Sequence, residues 1–237
     1  MGSPDRDDAA ELIALRQRLA GGGAHLFPQG VASVSDNESW FPSGNGNHAD
    51  FSIDFDLGVL EELRVLYREK PRWFLLLDGE PPPNLCQSLS KAGLRRCNVY
   101  HVVSRCPTDV PMPAFEGRIV ERDGKFEALL GDTCVGRADL TCAGSIGYLG
   151  GAFTEPAHRN QGAHSALIAA RINAAHRQGV RKLFAETYRF LPSSLMNLER
   201  AGFVSAWNRP IYRFEQKTSL RETLLDTDQG HRPPSPA

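Results

Sequence analysis

The 237-residue sequence predicts an α/β protein (α+β, mixed sheet) with a βαβαβ core built twice over, its central mixed β-sheets flanked by helices. Three observations predict it. Strand and helix patterns alternate from residue 49 onward, the helices end on glycine, and a constant offset of 109 residues lays the end of the first half on the end of the second.

In chain order, residues 9–20 read as a short amphipathic helix, with Leu12, Ile13, Leu15 and Leu19 as its apolar stripe and Gly21-Gly22-Gly23 as its stop. Residues 30–50 are rich in Gly, Asn and Ser and read as loop. Residues 49–55 form a candidate strand, and residues 57–68 a helix with Leu57, Leu60, Leu63 and Tyr67 at helical spacing. A continuous apolar strand follows over 72–77, then a helix over 84–92 stopped by Gly93, then a strand over 97–104. Residues 106–114, with three prolines, are the expected linker.

The second half opens with strands over 117–121, 126–130, 134–141 and 146–154, separated by turn signals such as Asp123-Gly124 and Gly131-Asp132. A long helix over 162–178 ends at Gly179, a strand covers 182–187, a helix over 193–201 ends at Gly202, and strands over 203–207 and 211–214 close the chain. The ends, 1–8 and 217–237, read as disordered tails with little to bury. The chain thus divides into a first half over 9–108 and a second over 109–216.

Under the 109-residue offset, Leu57, Leu60 and Leu63 fall on Ala166, Ala169 and Ile172, and Arg68 and Arg72 fall on Arg177 and Arg181. Leu89, Lys91, Ala92 and Gly93 fall on Leu198, Arg200, Ala201 and Gly202. An ungapped match across helix, strand, helix and glycine stop points to a duplicated core.

The repeat acts as an internal control for chemistry. Between strand and helix, the second half carries Arg159-Asn160-Gln161-Gly162-Ala163-His164-Ser165. A basic, glycine-containing turn opening a helix is an anion cradle, because the first amides of a helix lack partners and the helix dipole is positive there. The offset places residues 50–55 opposite it, a stretch with two carboxylates and no glycine, so a phosphate ligand is expected on the second half alone.

Bulk properties exclude several classes. A net charge of −1 gives no reason to expect nucleic acid or an anionic membrane as partner. No apolar run approaches the roughly 20 residues a bilayer span needs, and Met1 to Asp8 does not resemble a signal peptide. The five cysteines (Cys86, Cys97, Cys106, Cys134, Cys142) contain no C-x-x-C pair, which argues for reduced thiols in a cytoplasmic protein without a metal.

With its surrounding strands, the segment resembles the GNAT acyltransferase family over roughly residues 116–214. Arg159 and Gly162, with Asn160, Gln161 and Ala163 around them, match the family's Arg/Gln-x-x-Gly-x-Gly/Ala loop up to its last position, Pro156 stands where a proline often enters it, and Gly202-Phe203 looks like the exit from the family's fourth helix. The first half resembles the degenerate N-terminal repeat of tandem members.

The resemblance implies acetyl transfer from acetyl-CoA to an amine, directly in a ternary complex. The acceptor would be a small molecule or a peptide, and the protein a monomer or homodimer. It implies that Ala152, Phe153 and Thr154 offer main-chain N–H groups to pantetheine and thioester. Gln161, Gly162, Ala163, His164 and Ser165 would hold the pyrophosphate beside Arg159 and Asn160, with Asn197 as a polar contact.

Glu186, Tyr188 and Glu155 are the candidates for handling the proton. Glu186 and Tyr188 share a strand face, and both could equally be rim residues of the acceptor pocket. Two positions depart from the family. His164 stands where Gly or Ala is usual, and Leu198 stands where many members have a thiolate-protonating tyrosine. A different acyl-CoA, or an acyl-CoA-binding protein without catalysis, are the alternatives.

Overall fold

The computed structural model describes residues 6–19, 24–35, 47–188 and 191–215. These form α1 (Arg6–Leu19), β1 (Ala24–Phe27), β2 (Gly30–Ser33), β3 (His48–Ser52), α2 (Val59–Leu66), β4 (Arg72–Asp78), α3 (Pro83–Lys91) and β5 (Arg95–Arg105). The second half adds β6 (Arg118–Arg122), β7 (Lys125–Leu130), β8 (Thr133–Ala143), β9 (Ile146–Thr154), α4 (Ala163–Arg177), β10 (Lys182–Tyr188), α5 (Pro192–Arg200) and β11 (Val204–Glu215).

Three expectations need correcting. The predicted loop over 30–50 opens with strand β2, which pairs with a further strand, β1; its short apolar run Gly30–Ser33 lies almost entirely buried. The first tail is shorter than expected, because α1 starts at Arg6 and buries Asp8 against Lys182. The two closing strands are one, β11, bent by register shifts. The expected tail over 217–237 lies outside the described residues.

All eleven strands join in a single mixed sheet of order β1-β2-β3-β4-β11-β5-β10-β9-β8-β7-β6. β3–β4 and β9–β10 pair in parallel and the other neighbours antiparallel. The duplication is visible in detail. Helices α3 and α5 are each nine residues long, and they end on left-handed Gly93 (φ 80°) and Gly202 (φ 82°). Leu94 N–H closes onto Leu89 O at 2.9 Å, and Phe203 N–H onto Leu198 O at 3.0 Å.

The last strand of each half lies against the other half's parallel pair: β11 beside β4, and β5 beside β10. Each core is therefore completed by the opposite half. Tyr212 of β11 packs with Leu63, Trp73 and Leu89. Val103 of β5 packs with Leu167, Ile172 and Leu198. The neighbouring Val102 points to the opposite face, under α1, where Leu12 and Leu15 cover Phe184 and Trp207. Burying those two leucines stabilises the α1 cover by about 2 kcal/mol each.

The constant offset does not hold through the first parallel strand. Phe74 pairs with His48 and its counterpart Leu183 pairs with Gly147, so 74 to 183 keeps 109 whereas 48 to 147 is 99. Ten extra residues separate β9 from the matched part of α4. The counterpart of the cradle is accordingly residues 53–58, not 50–55, which lie largely in β3. That turn contains Asp54 and Asp56, as the repulsion argument requires, but it also has a glycine, Gly58.

Candidate active site

β9 and β10 stay paired only from Ile146–Lys182 to Leu149–Ala185, after which residues 150–154 and 186–188 no longer pair with each other and leave a gap in the ladder. A bulge in the β8–β9 ladder lies beside the gap. Gly150 pairs with Asp139 and Phe153 with Arg137, leaving Gly151 and Ala152 opposite the single residue Ala138. Gly151 is left-handed (φ 59°), and a side chain there would run into the Asp139 carboxylate, so glycine is required. Past the bulge, Glu155 N–H donates to Val135 O at 2.9 Å. Ladder alternation then turns Phe153 N–H toward β8 and Thr154 N–H toward the gap.

The cradle closes one end of the gap. Gly162 caps α4 in the left-handed region (φ 84°), and no side chain caps the helix. Its first amides therefore remain available, and the first turn holds no acidic residue. Asn160 is also left-handed (φ 61°), Arg159 reaches Thr154 O at 3.5 Å, and Gln161 reaches Ala157 O at 3.4 Å. Thr154 Oγ1 is buried without a hydrogen-bond partner. Uncapped amides, an exposed arginine and an orphaned hydroxyl along one edge fit a phosphate-bearing ligand with a polar arm.

Ser165 and Asn197 come together in a groove of about 380 Å³ between α4, α5 and the linker. The linker is strapped to α4, since Val110 N–H and C=O both bond the Asn173 side chain at 2.9 Å. Ala163 is buried beneath the helix start. His164 is half-buried, and burial, with the charge of Arg171, lowers its pKa to about 4, so it is neutral near pH 7.

The proton-handling candidates divide. Glu186 and Tyr188 do share a face, but it is the face that α1 covers. Arg209 Nη1 bonds Glu186 Oε2 at 3.1 Å, Arg16 Nη2 bonds Glu186 Oε1 at 2.5 Å, and the Glu186 side chain is 7% exposed. Burial pushes the Glu186 carboxyl up, but Arg209 and Arg16 outweigh it and hold the group below the usual carboxylate range. With both oxygens held by guanidinium groups, it is a structural anion and a poor proton acceptor. Tyr188 is buried with its hydroxyl bonded to that of Tyr100, and burial raises its pKa, keeping it protonated. Glu155, at the end of β9, is exposed. Leu198 lies in the second-half core.

Arg209 and Arg16 also hold two carboxylates of the first half. Arg209 engages Asp50 on β3 and Asp78 on β4, and Arg16 engages Asp78. Sequence reasoning missed this cluster, because its members lie on five separate segments and carry no local pattern. It also missed Gly150-Gly151 and Arg171. Those two had signals: paired glycines inside a strand mark a bulge, and an arginine within the apolar face of a helix needs a buried partner.

No family model and no curated protein matches this sequence. Solved structures are similar to it. A GCN5-related N-acetyltransferase from Kribbella flavida aligns over 90% of this chain and 98% of that one, at 15% identity and a TM-score of 0.65. Another from Sphaerobacter thermophilus aligns over 90% and 94%, at 15% identity and a TM-score of 0.56. A tandem GNAT protein from the clavulanic acid biosynthesis pathway aligns over 91% and 97%, at 12% identity and a TM-score of 0.56. The chain has the GNAT fold, with two copies of its βαβαβ core joined in one sheet.

Proposed function

We propose that the protein is an acyltransferase that moves an acetyl group from acetyl-CoA to an amine, using only its second half. The observation that carries this reading is the gap between β9 and β10 beside an uncapped, acid-free helix start. The pyrophosphate sits on the amides of Gln161, Gly162, Ala163, His164 and Ser165, beside Asn160, with Arg159 as counter-charge. The pantetheine arm follows β9 along Ala152, Phe153 and Thr154, and Asn197 borders it. Thr154 N–H, facing the gap, is a donor for the thioester side.

In the transfer, the amine nitrogen forms a bond to the acetyl carbonyl carbon, the carbon–sulfur bond breaks and CoA leaves as the thiolate, since Leu198 has no proton to give. The ammonium proton passes to solvent through Glu155, the exposed carboxylate of the three candidates.

Calorimetric titration with CoA, followed by thiol release from acetyl-CoA with a panel of primary amines, tests this. The wild type binds CoA, R159Q binds it about tenfold more weakly, and E155Q keeps binding while losing turnover. Failure of the wild type to bind CoA sinks the reading. A second reading, an acyl-CoA-binding protein without catalysis, is favoured by the ion-paired Glu186 and by Leu198; binding without turnover on any amine would select it.

A further inference from the structure

Arg171 is 2% exposed on the inner face of α4, and its bonds among the described residues are to main-chain carbonyls. It donates to three main-chain carbonyls: Nε to Leu167 O at 3.0 Å, and Nη1 to Asp139 O and to Gly150 O, both at 3.2 Å. Asp139 and Gly150 are the pair at which the β8–β9 register breaks. An arginine buried this deeply is costly unless its donors meet acceptors. Here the guanidinium bonds one carbonyl on each strand at the register break and so ties β8 to β9.

The first half supplies the control. Glu62, exposed on α2, stands at the position that the 109-residue offset matches to Arg171. There β2 and β3 pair without a break from Gly30–Phe51 to Ser33–His48, and β3–β4 stays closed through Ser52–Asp78. The buried arginine and the early end of the parallel pair occur together in one half and are absent together from the matched, described residues of the other.

We infer that Arg171 is a positioning residue that pins the β9 bulge, and through it aims the main chain at Ala152 and Thr154 into the gap. The inference rests on the acyl-CoA reading for its function, but the pinning itself can be measured without turnover.

The test compares wild type, R171M and R171K by amide hydrogen exchange and by CoA and acetyl-CoA binding. R171M speeds exchange at Phe153, the amide of residues 152–154 that faces β8, at least tenfold over the wild type, while residues 183–185 of β10 change less than threefold. R171K, which keeps a charge but not the planar fork, falls between. CoA affinity changes little, since the helix start is untouched, and in a turnover assay kcat falls more than KM rises. Exchange that rises uniformly across β9 and β10 assigns Arg171 a general packing role and overturns the inference, as does unchanged exchange at Phe153. Should R171M fail to fold, R171K decides by the same criterion. Failure of the wild type to bind CoA counts against the proposed function and leaves the exchange result standing on its own.

Discussion

Helices α4 and α2 occupy matching places in the two halves, yet their first turns are opposite in character. α4 begins on a left-handed Gly162 with no side-chain cap and no acidic residue. α2 begins on a right-handed Gly58 (φ −56°), whose N–H is held by Asp56 Oδ1 at 2.8 Å. Its next amides, Val59, Leu60 and Glu61, are taken by the carbonyls of Asp56, Leu57 and Gly58, and Glu61 and Glu62 add negative charge. The parallel pairs differ in the same sense: β3–β4 is zipped two residues further than the matched point at which β9–β10 opens. One copy of the fold thus pairs its parallel strands further and occupies its helix-start amides with its own carbonyls. The other ends its pairing sooner and leaves its helix start uncapped by a side chain, so the scaffold accommodates both arrangements.

The largest test of how the two copies depend on each other is Arg209→Met. It leaves Asp50, Asp78 and Glu186 with Arg16 as the remaining cation of the buried cluster. Uncompensated buried charge costs about 3–5 kcal/mol, and urea unfolding should show both halves weakened in one transition. Two transitions, or a loss below about 1 kcal/mol, would contradict the coupling.

Next comes Gly162→Ala. The left-handed conformation costs a non-glycine residue about 1–2 kcal/mol, and the new Cβ would meet the Ala114 carbonyl of the linker. Thermal unfolding should therefore occur earlier, and CoA affinity should fall about tenfold or more.

The pH dependence of His164 is smaller. Its folded pKa of about 4 lies below the ordinary value of 6.5, so the unfolded state takes up its proton first. Stability is full above about pH 6.5 and declines as pH falls toward 4. At pH 5 the wild type should have lost about 1–2 kcal/mol more, relative to its value at pH 7, than H164Q, allowing for partial screening at a half-buried site. Parallel pH profiles for the two proteins would refute this.

The smallest effect is in the closed half. Gly58 already has a helical backbone, and its added Cβ meets nothing nearer than Asp56 Oδ1 at 3.4 Å. Gly58→Ala should stabilise by about 0.4–1 kcal/mol. Opposite signs for alanine at Gly162 and at Gly58 would confirm that only one turn needs its glycine, and equal signs would erase the contrast.

Much of the fold was legible because its signals are local. The apolar run of residues 72–77 and the spacing of Leu60 and Leu63 place β4 and α2 within two residues of where they lie. Gly93 and Gly202 stop their helices as predicted, because each needs a backbone conformation that glycine adopts at little cost. The short strand β2 was hidden inside a glycine-rich stretch, since four residues are too few to establish alternation against that composition.

The candidate site was legible at one end. The basic turn and glycine before α4 point to the proposed anion cradle from covalent neighbours alone. Its counterpart was placed wrongly, because an ungapped offset cannot reveal ten residues inserted ahead of α4. Glu186 and Tyr188 could be assigned to one face by strand alternation, but the alternation does not say what covers that face. Arg16, 170 residues away in sequence, takes up the Glu186 carboxylate.

The sequence by itself determined most of the elements, their glycine stops, the duplication and where the proposed cradle stands, since these depend on backbone preferences and side-chain periodicity over a few residues. Only the tertiary structure decided which strands exchange neighbours, where each parallel pair stops zipping, and which charges meet beneath α1. Those outcomes depend on partners more than a hundred residues apart, such as Asp50 and Arg209. They are settled by burial, hydrogen-bond register and the need to satisfy a charge once it is removed from water, none of which is written in any one stretch of the chain.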